Sequence, residues 1–364
     1  MGRARLYSSA VLVGIAAVIV YALLVISPRA SFALDLHQYL EAADTVIHLE
    51  SPYHEPGTPI EGLYAYAYPP LLAFGFAPWL LFPIGLAEYL AVVLYIVAIL
   101  AALWLCGVRD IRCHALATMS APVALGAEAT NATALVCLFA ALTWRYRSGI
   151  GAGAALTIKL IGWPLLVWLA AIGRGRHAAI GAAAAVVLTF VPWAVIGFAG
   201  LTDYPALLEA VDEKWAPETF SLAGSGLPGG RALSLVLAAA CVVSCWWRGR
   251  KGDEAGSFAL AIGAILVASP ILWNHYFALL FVAIAARYPR LHPLWFVMLG
   301  YWVLPGGFHV DAWMTAFALT LTGAIVLWLS RPWPAFTPRS IRRGSLAGER
   351  PPTGADVADV PAGG

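Results

Sequence analysis

The chain has 364 residues, 61% of them hydrophobic and only 12% charged, with a formal net charge of +2. A soluble domain carries about 25% charged residues, and a core of this size cannot hide so much apolar surface, so lipid must cover part of it. The small net charge gives no argument for nucleic acid, and none is expected as a partner.

Residues 8–27 form an apolar run without a charge, matching the roughly 20 residues that a crossing helix needs. No small-residue cleavage pattern follows it, so it reads as an anchor. Residues 28–83 make a first large loop, crowded with Asp35, Glu41, Asp44, Glu50, Glu55 and Glu61. Its opening part, residues 35–49, is amphipathic. Leu36, Leu40, Ala43 and Ile47 fall on one helical face, and His37, Glu41, Asp44 and His48 on the other. Such a helix is expected to lie on the membrane surface. A Pro/Gly-rich linker over 51–62 leads to Tyr64, Tyr66, Tyr68, Pro69 and Pro70. Residues 71–82 are apolar but short, and either cross or re-enter.

Further spans are expected at 86–106, 114–127, 131–144, 150–160, 161–172, 178–199, 233–247, 256–271, 276–287, 291–305 and 311–330, about twelve in all. The 150–172 stretch is expected to break near Gly162 and Pro164. Arg145 and Arg147 before it and Arg174 and Arg176 after it share one side only if the chain crosses twice. A second large loop, 200–230, holds Asp203, Glu209, Asp212, Glu213 and Glu218. Residues 331–364 are rich in Pro, Gly and Arg and read as a disordered cytoplasmic tail. The fold class is all-α: a polytopic membrane domain over 1–330, both termini cytoplasmic. With that topology all but four of the 22 Lys and Arg lie inside, as the positive-inside rule requires. The four are Arg29, Lys214 and Arg231 outside and Lys159 within a span.

Four places can carry chemistry. Asp35 follows the first span and opens the amphipathic helix; it is either a reactive carboxylate or a helix N-cap. Around Ser269, Trp273, Asn274, His275 and Tyr276, polar residues interrupt two apolar runs. They are either a site or a polar turn anchored by Trp273. Lys159 is a lone ammonium in a span, either a phosphate ligand or a side chain snorkelling to the nearer interface. Glu128 and Asn131 lie between two short spans, where polar helix–helix contact is the first reading. There is no P-loop or CxxC, neither large loop holds a DxD pair, and the spacing of His37, His48 and His54 fits no standard metal site.

A set of motifs then falls in order: Asp35, Leu36, His37, Gln38, Tyr39 with Ala42 and Ala43; Ser51, Pro52, Tyr53; Tyr66 to Pro70; the 151–164 stretch with Lys159; Glu218 to Gly224; and Ser269 to His275. Over about residues 8–290 this order resembles the C-type glycosyltransferases, and specifically glycosyltransferase family 87, the polyprenyl-phosphate-mannose-dependent mannosyltransferases and related arabinofuranosyltransferases of actinobacteria. The chain departs from the family pattern before Asn131, where Glu128, Ala129 and Thr130 stand in place of Gly-Gln.

The resemblance implies a catalytic base at Asp35 and a second active-site residue at His275. His37, Tyr39, Tyr68, Glu128, Asn131, Lys159 and Asn274 become candidates for substrate contact, although packing is the preferred reading of Tyr68 and Trp273. No metal or cofactor is expected, because the donor is a sugar on a polyprenyl phosphate drawn from the membrane. Its leaving group is a phosphomonoester anion that needs no general acid, so one carboxylate suffices and inversion at the anomeric carbon follows. Lys159 and His275 are the candidates to steady the departing phosphate. The acidic loops favour a neutral, hydroxyl-rich acceptor, a cell-envelope glycolipid or polysaccharide, at the outer face of a bacterial plasma membrane. The competing readings are a transporter or flippase of lipid-linked sugars and a structural membrane subunit.

Overall fold

A computed structural model describes residues 3–26, 32–55, 57–58, 60, 65–304 and 310–331. The tail expected to be disordered, from residue 332 on, lies outside the described residues. The described chain contains helices and turns and no strand.

The elements run in order. Helix α1 is Arg3–Val25 and α2 is Leu34–Ile47. A short α3, Pro70–Phe76, continues into a 3-10 turn, Ala77–Leu81. Then come α4, Ile84–Leu105; α5, Ile111–Met119; α6, Ala121–Ala129; α7, Thr133–Tyr146; and α8, Gly149–Ile158. After a 3-10 turn at Leu160–Gly162 follow α9, Pro164–Ala171; α10, Gly175–Val195; and α11, Tyr204–Trp215. The chain closes with α12, Gly230–Arg250; α13, Glu254–Ala268; a 3-10 turn, Asn274–Ala278; α14, Leu279–Arg287; α15, Pro293–Val297; and α16, Ala312–Leu329.

Five of these, α1, α4, α10, α12 and α16, are long and apolar enough to cross a bilayer. Their outward faces expose large apolar side chains such as Val18, Leu94, Phe190, Val243 and Leu327, which only lipid can cover without penalty. The protein is a multi-pass membrane protein. The other expected spans correspond to shorter or interrupted helices. In place of the one span expected over 114–127, the run is cut at Ser120, whose extended backbone ends α5 and opens α6, with Pro122 in the first turn of α6. The 71–82 segment is a helix of seven residues and a turn, about half the length that crosses alone.

The 150–172 stretch does break, but at Lys159, which leaves helical geometry with φ −132° and ψ 119°. The chain then returns to the face it left. Gly149 at the start of α8 and Gly249 at the end of α12 sit against His177 and Ala171 respectively, at the far end of the return. With ten residues, α8 rises about 15 Å, half the hydrocarbon thickness, so Lys159 rides the tip of a half-depth hairpin. Glycines let this hairpin pack closely. A Cβ on Gly149 or Gly153 would run into the backbone of α10 at His177 and Gly181.

One face of the molecule is ionic. Arg147 at the end of α7 pairs with Glu254 at the start of α13; Asp253 pairs with Arg248, and with Arg287 at 2.9 Å. Helices α7, α8 and α13 each have one end in this layer. Their other ends, at Thr133, Lys159 and Ser269, converge on a cavity at the opposite face.

The amphipathic helix forms, with a correction to its faces. Leu36, Tyr39, Ala42, Ala43 and Val46 are buried in the protein core, while Ile47 is exposed. The inward stripe is one step round from the one expected, so α2 docks on protein and does not lie free on the membrane surface.

Candidate active site

The cavity measures about 650 Å³ and is walled by the start of α2, the end of α6, the Lys159 turn, one side of α11 and the 268–276 segment. Five of the expected contact residues, Tyr68, Glu128, Asn131, Lys159 and Asn274, line it together with Asp35 and His275.

Asp35 is positioned by the backbone on both sides of it. The Ala33 N–H donates to the Glu128 carbonyl at 2.6 Å, tying the start of α2 to the end of α6. Ala33 and Thr130, which precede Asp35 and Asn131, both hold left-handed backbone, φ 54° and 59°. Two strained non-glycine residues beside one cavity show that surrounding packing dictates where these side chains point. Asp35 does not cap its helix: the cap position is Ala33, without a side-chain bond. Its Oδ2 instead accepts a hydrogen bond from Asn131 Nδ2.

The Asn131 amide cannot be turned the other way. Its Oδ1 accepts from Lys159 Nζ at 2.9 Å, the Thr133 N–H at 2.9 Å and Thr133 Oγ1 at 2.7 Å. Three donors on one side fix the oxygen there, and the nitrogen faces Asp35. Lys159 is 6% exposed, also donates to Thr133 Oγ1 at 3.0 Å, and lies 3.5 Å from the centre of the Tyr276 ring. It does not snorkel; the amine is buried, held by two oxygens and against an aromatic face.

Burial pushes the Asp35 carboxyl above its ordinary range, against the Asn131 hydrogen bond and the Lys159 charge, which pull it down. The result is a carboxylate more basic than an exposed one. Its Oδ1 accepts no hydrogen bond from the described residues and is available to a hydroxyl.

Across the cavity, Asn274 and His275 are buried in the 3-10 turn that follows Trp273. Both amide atoms of Asn274 and Nε2 of His275 lack a partner among the described residues. Unpaired buried polar atoms are costly, and a ligand would satisfy them. Helix α6 comes very close here: a Cβ on Gly126 would collide with the Tyr95 hydroxyl and stand 2.9 Å from His275 Cβ.

Two expected contact residues do not line the cavity. His37 turns away and pairs with Glu88 at 3.1 Å. Tyr39 is buried behind the wall, where its hydroxyl accepts from the Ala132 N–H at 3.1 Å and donates to Tyr68 Oη at 3.3 Å. Tyr68 does more than pack, since its hydroxyl also accepts from Asn131 Nδ2 at 3.4 Å. Sequence reasoning missed Thr133, which helps seat Lys159, and Asp212, which lines the cavity from α11. Thr133 had a signal two residues after Asn131. Asp212 was one acid among five in its loop.

The interrupted helices of this multi-pass fold end around a half-open, largely apolar cavity in which a carboxylate, a lysine, an asparagine and a histidine are gathered. The profile of glycosyltransferase family 87 matches residues 66–270, more than half of the chain. The chain belongs to glycosyltransferase family 87 and is a membrane glycosyltransferase. It is similar to the polyprenol-phosphate-mannose-dependent alpha-(1-2)-phosphatidylinositol pentamannoside mannosyltransferase of Mycolicibacterium smegmatis, 25% identical over 367 residues, covering 84% of this chain and 81% of that protein. No solved structure matches the chain. The matched 66–270 region includes Tyr68, Asn131 and Lys159; Asp35 and His275 flank it.

Proposed function

We propose that the chain transfers a mannosyl group from a polyprenyl-phosphate donor to a hydroxyl of a cell-envelope glycolipid or polysaccharide, with Asp35 as general base. The observation that carries this reading is the Asp35–Asn131–Lys159 relay beside a cavity of about 650 Å³. The acceptor hydroxyl gives its proton to Asp35 Oδ1 while its oxygen attacks the anomeric carbon. The bond from that carbon to the phosphate oxygen breaks on the opposite face, and configuration inverts. The pair of electrons leaves on the phosphomonoester, near the Lys159 ammonium, with His275 as the second candidate to contact it. The donor of the Mycolicibacterium relative supports mannose.

The ionic face lies at the opposite helix ends from the cavity. By the positive-inside rule this supports a cytoplasmic basic face with both termini on it, and a cavity open to the outside of a bacterial plasma membrane.

The test is transfer of radiolabel from polyprenyl-phosphate mannose to a membrane glycolipid extract by purified protein in liposomes, with the arabinose-bearing donor run in parallel. Labelled glycolipid with mannose, lost in Asp35→Asn, is expected. Labelling from the arabinose donor alone would replace mannose in this reading, and full transfer by Asp35→Asn would remove Asp35 as the base.

A further inference from the structure

One side of α11 faces the cavity with Leu208, Val211, Asp212 and Trp215, the spacing of a single helix face. Asp212 is the acid in this stripe. Its Oδ2 stands 3.6 Å from an Arg231 nitrogen, and that arginine side chain is 77% exposed, so the pair is weak. Its Oδ1 is buried and has no partner among the described residues. The ion pair therefore accounts for one oxygen and leaves the other unexplained.

The neighbouring wall supplies complementary groups. Trp215, one turn along, packs on Trp273 with ring centroids 6.2 Å apart. Trp273 is followed by Asn274, 5% exposed, with its amide oxygen and nitrogen both unpartnered. A carboxylate acceptor, an amide that both donates and accepts, and two indoles are together the recognition chemistry of a polyol ring. Adjacent hydroxyls give protons to the carboxylate and take them from the amide, and the C–H face of the ring lies on the indoles. A phosphate does not fit beside Asp212, because like charges repel; the Lys159 side serves that group.

We propose that Asp212 and Asn274 form a hydroxyl-reading subsite for the ring of a sugar-bearing substrate, and that Asp212 determines specificity without taking part in bond making. This rests on the transferase reading above. The ring belongs either to the donor sugar or to the acceptor, and the same experiment separates them.

Steady-state transfer is measured with donor and acceptor varied in turn, for wild type, Asp212→Asn and Arg231→Gln. Asp212→Asn is expected to raise KM for one substrate about tenfold, the loss of one hydrogen bond to a charged group, with kcat little changed. Arg231→Gln leaves both constants as in wild type. A rise confined to the donor places the donor sugar at the subsite, and a rise confined to the acceptor places the acceptor ring there. Unchanged constants in Asp212→Asn, or equal shifts in both variants, overturn the proposal. Should Asp212→Asn be misfolded, wild type assayed with substrates lacking single hydroxyls decides: one deoxy compound must lose about tenfold in kcat/KM, and the absence of any such loss is negative. A wild type that transfers nothing overturns the transferase reading and this subsite with it.

Discussion

Asn131 holds Asp35 by one carboxylate oxygen and leaves the other open. The same amide takes the Lys159 ammonium on its oxygen, so charge and base are linked without touching. Asn131→Asp replaces the donor that faces Asp35 with a second carboxylate. We expect kcat to fall about tenfold to hundredfold, the worth of one hydrogen bond to a charged group. The pH profile of kcat shifts upward, because a like charge disfavours ionised Asp35. A profile in the wild-type position would show that the amide does not orient the base.

Asp35→Asn keeps shape and removes the base. Loss of a general base lowers kcat by about 10²–10⁴-fold. The variant should elute from size exclusion as wild type does, and labelled product formation measures the loss.

The acid limb of activity reports Asp35. Burial raises its pKa, and the ionised form is the base. Transfer is therefore lost as pH falls through a value above the ordinary carboxylate range near 4. The linkage has the opposite sense for stability. The folded state prefers protonated Asp35, so the ionised form costs stability at neutral pH, and that cost fades as pH drops through the raised pKa. Asp35→Asn should accordingly melt at a higher temperature than wild type at pH 7 in detergent, and a lower melting temperature would contradict the burial argument.

Lys159→Met removes a buried amine and the hydrogen bond it gives to each of Asn131 and Thr133. Activity should fall about a hundredfold, the scale of one electrostatic stabiliser. Lys159→Arg should not restore it, since the ammonium already lies 3.5 Å from the Tyr276 ring centre and a planar guanidinium needs more room. Rates with saturating donor test both variants.

Asp110 tests the fold apart from the chemistry. It caps α5 and accepts from Arg112 Nε at 3.0 Å and Arg112 Nη2 at 2.7 Å, with an Arg5 nitrogen 3.6 Å away. The Arg112 guanidinium holds its carboxyl below the usual range, although burial opposes this. Its contribution to stability is thus present above the unfolded pKa and fades as pH falls through the lowered one. Asp110→Ala should cost about 1–2 kcal/mol of stability in detergent unfolding and spare transfer by the protein that remains folded.

Much of this was legible in the sequence, and the residues show why. Lys159 announced itself because an unpaired charge in an apolar run demands partners; which partners, Asn131 and Thr133, depends on two short helices ending at one height. Asp35 and His275 stood out as polar residues where apolar runs stop. The full-length spans at α1, α4, α10, α12 and α16 follow from composition alone. The short helices do not, because a break at Ser120 or Lys159 is a backbone event that hydropathy does not register. His37 misled for a related reason. It shares a helix with Asp35, but two positions along an α-helix turn a side chain through more than half a circle, toward Glu88. Asp212 was hidden among similar acids, and only the cavity distinguished it.

Gly126 leaves no room for a side chain between the Tyr95 hydroxyl and the His275 backbone branch. Positions 95 and 126 are therefore not free to drift separately during divergence of the family. A homologue that gains alanine at the second must trim the first, or let the 3-10 turn bearing His275 settle further out. The two columns should covary across related sequences, and a chain that breaks the pattern marks a member whose histidine has moved.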